Sequence, residues 1–152
     1  MSMSKTMKSG IPLIILVVFA GTSIAPLLST NITEFTPYFE GTAQLSNSKD
    51  PALEGSSTRL YENSTYTLSI STNLNSPTEG SHYEGWIVRL SPFKTIDIGQ
   101  LTQSVEGKWE LNYQEQNPQT DYETFTTILV TEESNTEAAT IPNEIHTLEG
   151  TF

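Results

Sequence analysis

The chain has 152 residues, a formal net charge of −11 and no cysteine. Beyond Leu28 five basic residues face eighteen acidic ones, a net −13; that charge repels phosphate backbones and argues against nucleic-acid binding and against charge-driven docking on an anionic membrane surface. Without cysteine, disulfides, thiolate nucleophiles, zinc fingers and iron–sulfur clusters are excluded, so a hydrophobic core and a hydrogen-bonded sheet must hold the fold.

Met1 to Gly10 is polar and basic, and Ile11 to Leu28 follows without a charge. As a helix this apolar run rises about 27 Å, just under a bilayer core. It fits three expectations: a cleaved signal peptide, an uncleaved single-span anchor, or a pilin-type leader preceded by Lys8-Ser9-Gly10. Pro12 and Pro26 sit poorly in a helix that packs inside a filament. In each case the basic end stays cytoplasmic and the acidic remainder is translocated. Residues 29–38 read as a linker, and 39–152 as one extracytoplasmic domain.

Strand signals then recur at short spacing. Phe39 to Leu45 is a first strand, and Thr58 to Tyr61 a short edge strand. Tyr66, Leu68 and Ile70 alternate with Thr and Ser, the period of a half-exposed strand. His82 to Leu90 carries Trp86 and reads as a central strand, with Trp86, Val88 and Leu90 on one face and Tyr83, Ile87 and Arg89 on the other. Ser91-Pro92 breaks it. Ile96 to Gln103 alternates imperfectly, and Gly99 marks a bulge. Glu106-Gly107 turns into Lys108–Tyr113 to form a hairpin. Tyr122 to Thr131 reads as a second central strand, Glu132 to Asn143 as an acidic loop, and Ile145 to Phe152 as the closing strand. The expected fold is all-β: an antiparallel β-sandwich of seven to eight strands preceded by an N-terminal hydrophobic helix.

Tyr83-Glu84-Gly85-Trp86-Ile87-Val88, Ile98-Gly99-Gln100-Leu101-Thr102 and Gly107-Lys108-Trp109 occur in that order, followed by Tyr122, Val130-Thr131-Glu132-Glu133, Pro142 and Leu148-Glu149-Gly150-Thr151-Phe152. This stretch, Tyr83 to Phe152, resembles the C-terminal extracytoplasmic domain of anti-sigma-K factors. The resemblance implies an extracytoplasmic sandwich. It does not carry sigma-factor binding, because the ten or so residues before the apolar run are too few for an interface of roughly 800 Å² per partner.

Candidates for chemistry are few. His82 with Glu84, and Glu144 with His146, have the spacing that places each pair on one strand face; were the two strands neighbours, a mixed nitrogen–oxygen metal site would follow. Glu132, Glu133, Glu137 and Glu144 offer oxygens to calcium, although no calcium-loop pattern is present. Asp121 and Glu123 share the outward face of their expected strand, as a glycosidase carboxylate pair would. There is no Gly-x-Ser-x-Gly elbow and no phosphate-cradling glycine loop. Asn31 and Asn63 head glycosylation sequons. Trp86 is expected in the core; Trp109 with Tyr113 is a candidate interaction face. The expectation is a non-catalytic, membrane-anchored or secreted protein without a cofactor, serving protein interaction or envelope structure. It would be held by Ile11 to Leu28, with an unidentified protein partner such as a membrane complex. A pilin-like filament subunit and a small hydrolase or metal-dependent enzyme are the alternatives.

Overall fold

A computed structural model describes residues 38–136 and 139–152. The apolar run, Asn31 and Glu137 lie outside the described residues. Among the described residues nine strands form: β1 (Phe39–Ser46), β2 (Glu54–Glu62), β3 (Thr65–Thr72), β4 (Ser81–Leu90), β5 (Phe93–Gln100), β6 (Thr102–Gln103), β7 (Trp109–Gln116), β8 (Thr127–Ser134) and β9 (His146–Thr151). The fold is all-β and antiparallel, as expected.

Two expectations change. The strands are not two separately bonded sheets of seven or eight; they join in one run ordered β5-β4-β8-β9-β1-β2-β3-β7-β6. β5 and β6 are two halves of one bent stretch, the first bonded to β4 and the second to β7, so the sheet nearly closes into a barrel. The bend sits at the bulge foreseen at Gly99, whose φ of 110° is glycine territory. Leu101 is buried beside it, its N–H bonded to the Tyr83 carbonyl at 2.9 Å. Second, Tyr122–Thr124 is a 3-10 turn, not the start of a strand. Tyr122 and Phe125 turn inward and plug one end of the barrel, the Tyr122 ring stacked on Tyr66 with centroids 3.8 Å apart.

Alternation sets the interior. Every second residue of β3, from Tyr66 to Thr72, is buried. Ile87, Ile128, Val130 and Leu148 fill the same core from the other side. β2 is longer than expected and lies between β1 and β3, not at an edge. Its two buried residues are polar: Ser57 donates to the Ser69 carbonyl at 2.8 Å, and Arg59 donates to the carbonyls of Tyr122 and Phe125. The Arg59 guanidinium also stands over the rings of Phe39 and Phe152. Arg59 thus ties the plug to the barrel wall.

β4 is buried on both faces. Tyr83 and Ile87 enter the main core, while Trp86 and Val88 join Leu129 in a second cluster on the outside, covered by Ala139.

Candidate functional site

Two surfaces carry concentrated polar groups. The first is the outward face of β1, β2, β3 and β7. Pairing aligns Thr42, Thr58, Ser69 and Asn112 in one row, and Glu40, Leu60, Thr67 and Gln114 in the next. The Thr58 and Ser69 hydroxyls lie 2.8 Å apart. These rows line an open groove of about 870 Å³. Hydroxyls and amides both donate and accept, so the groove offers hydrogen bonds to a polar chain laid across it. Glu40 is the only titratable side chain of the two rows.

The second surface is the outer face of β5, β4 and β8. The His82 ring meets Glu84 at 2.9 Å and the Asn135 side-chain oxygen at 2.7 Å. The bulge in β5 shifts the register so that Asp97 stands opposite Trp86, one step from Glu84. Burial pushes the Glu84 carboxyl up to about 7; the hydrogen bond and the negative charge of Asp97 push the same way, and His82 opposes them. Beside it the Trp86 indole donates to Thr131 Oγ1 at 2.8 Å, and Thr131 donates to Glu133 at 2.5 Å. Glu133 also accepts the backbone N–H of Asn143 at 2.8 Å, which fastens the loop after β8 to the sheet.

His82 and Glu84 therefore meet, as their spacing predicts, but the two histidines do not come together. β8 separates their strands, and His146 pairs with Glu149 at 3.0 Å. Glu144 is exposed, and no cluster of three His, Asp or Glu side chains suited to a metal ion occurs among the described residues. Glu132 and Glu133 belong to β8, not to a loop; Glu132 accepts the Thr78 N–H at 2.7 Å and Glu133 is buried, so neither is a free calcium ligand. Asp121 and Glu123 flank the plug and not a strand face.

Trp86 is core, with 1% exposure. Trp109 and Tyr113 are half-buried and pack against the main core, Trp109 edge-on to Tyr83 and Tyr113 hydroxyl-bonded to Tyr122 and Glu115. The exposed neighbours on their strand are Asn112 and Gln114, which line the groove. Asn63 is exposed at the β2–β3 turn. Asp97 carried no signal in the sequence, since alternation alone does not reveal a register shift.

Comparison with family models, with curated proteins and with solved structures gives no match.

Proposed function

We propose that this chain is a non-catalytic, extracytoplasmic binding protein held at a membrane by its N-terminal apolar run, with the β1–β2–β3–β7 groove as its partner-binding surface. The observation that carries this reading is the pair of side-chain rows, mostly hydroxyl and amide with Glu40 and Leu60 at one end, that line an open groove of about 870 Å³. Rigid strands hold such groups at fixed spacing, which favours recognition of an extended polar partner at low ordering cost. In this reading residues 11–28 form a membrane helix. The sheet then works as two layers, β5-β4-β8-β9 and β1-β2-β3-β7-β6, joined on one side by the single pair Ser46–Glu149 and on the other by the bent β5–β6 stretch. The resemblance to the anti-sigma-K extracytoplasmic domain supports the same placement.

Solubilised native membranes are expected to yield a stoichiometric partner with the wild-type chain. The double variant Thr58→Arg, Ser69→Arg should fold yet lose that partner, because two cations would fill the groove. A wild-type chain that purifies as a lone monomer would overturn the reading.

The Glu84 cluster favours a second reading, a small hydrolase. A carboxyl pushed up to about 7 is protonated often enough at neutral pH to act as a general acid. At 8% exposure Glu84 is poorly open to substrate, which ranks this reading second.

A further inference from the structure

The β4–β5 hairpin ends in an exposed apolar pair. Leu90 and Phe93 face each other across its turn with 68% and 71% of their surfaces open. The tip overhangs its neighbour, since β8 bonds β4 only as far as the pair Val88–Thr127. Arg89 and Lys94 form the adjacent pair, set against the Phe125 ring on the other side of the hairpin. Two of the five basic residues beyond Leu28 therefore flank one apolar tip.

The tip's place in the fold matters as much as its chemistry. β1 runs antiparallel to β9 from the pair Ser46–Glu149, and Gly41 lies against Phe152. The start of β1, the end of β9 and the β4–β5 tip accordingly share one end of the barrel. The chain joins the barrel at that end, directly after the ten-residue stretch 29–38, which spans at most about 35 Å when extended. Among the described residues the other exposed apolar side chains lack this combination; Val105, fully exposed, sits in the β6–β7 turn at the opposite end.

We infer that the β4–β5 tip is a second membrane contact: Leu90 and Phe93 enter the interface of an anionic lipid bilayer while Arg89 and Lys94 meet its headgroups. This rests on the reading of residues 11–28 as the membrane segment. The net −13 beyond Leu28 repels such a surface at long range, but a tethered domain needs only short-range attraction. A Lys or Arg held near an anionic surface is attracted to it, and exposed apolar side chains gain by leaving water. The other acids of the same end, Glu40 near the start of β1, Glu62 at the β2–β3 turn, Glu115 near the end of β7 and Asp121 and Glu123 beside the plug, keep the rest of the rim away from the headgroups, so the hairpin alone makes contact.

The absence of cysteine makes single-site labelling clean. Full-length chains carrying Leu90→Cys, Phe93→Cys or Val105→Cys, each bearing an environment-sensitive fluorophore, are reconstituted with vesicles of phosphatidylcholine and phosphatidylglycerol. Labels at 90 and 93 are expected to shift to the blue and to be quenched by lipids brominated on their acyl chains, while the label at 105 stays as in buffer. Replacing phosphatidylglycerol by phosphatidylcholine should weaken the quenching. Co-sedimentation with the vesicles separates the two failures. A chain that does not sediment overturns the anchor and this inference together. A chain that sediments with labels at 90 and 93 no more quenched than at 105 overturns this inference alone. Labels that bury themselves in lipid-free buffer as protein concentration rises would assign the tip to a second copy, and quenching indifferent to the anionic lipid would remove the role given to Arg89 and Lys94.

Discussion

At Glu84 burial and a neighbouring acid act on one carboxyl and set a measurable sign. Its affinity for a proton is raised in the folded state, to about 7 from an ordinary 4.5. Between those values the native chain binds more protons than the unfolded one, so this group lowers stability as pH rises through the window. The expected loss is about 1–2 kcal/mol from pH 4.5 to 8, after allowance for solvent screening. Glu84→Gln keeps the shape and the contact with His82 but carries no charge; urea titrations should find it more stable than wild type at pH 8 and no more stable at pH 4.5. Equal pH slopes for the two proteins would refute the assignment. Thr131 is a second single-residue test. Its hydroxyl donates to Glu133 while accepting from the Trp86 indole. Valine has the same shape and can do neither, leaving two buried polar groups short of a partner. Thr131→Val is expected to cost about 1–3 kcal/mol by denaturant midpoint, more than a volume-neutral change elsewhere in the core.

At the scale of single elements the β2–β3 hairpin offers a gain in place of a loss. Asn63 and Ser64 both have positive φ, 50° and 59°, in a two-residue turn. That is the type I′ geometry, in which asparagine is at home and serine is strained. Ser64→Gly should stabilise the domain by about 0.5–1 kcal/mol and keep the Asn63-x-Thr65 sequon, so thermal melts and any glycan at Asn63 can be followed in one variant. The same comparison of residue with geometry explains which elements the sequence revealed. β3 was legible because its inward Tyr66, Leu68 and Ile70 are large and apolar against outward Thr and Ser, and the bulge because Gly99 interrupts an alternation. β2 was cut short because Ser57 and Arg59 face inward, and polar letters mask an inward face unless their hydrogen-bond partners are known. Tyr122–Thr124 misled for the opposite reason: aromatic and β-branched residues favour strands, but here the rings are wanted as a plug, and the Arg59 bonds to the Tyr122 and Phe125 carbonyls favour a turn. The site was half-readable. The His82–Glu84 contact follows from spacing on one strand, whereas Asp97 reaches the cluster only through pairing between strands.

Closure of the whole barrel could not be read from the chain, because alternation is the same in two stacked sheets and in one curved sheet. What decides it is where strands β9 and β1 approach, and there the register holds a single pair. Gly150 makes that approach possible. A Cβ at this position would stand 2.5 Å from the Gln44 carbonyl oxygen and 2.7 Å from Leu45 Cδ2, and the first of these is backbone that cannot swing aside. Gly150→Val must therefore push β1 away from β9. The seam is the narrowest joint of the sheet, so the displacement should open it and leave the β4–β8 and β2–β3 ladders paired. The expected outcome is a loss of about 1–3 kcal/mol, with amide exchange accelerated at Gln44, Leu45 and residues 148–151 and little changed at Ile87 and Ile128. Uniform acceleration across all strands would mean that the barrel opens as one cooperative unit, and the two-layer view of its mechanics would fail.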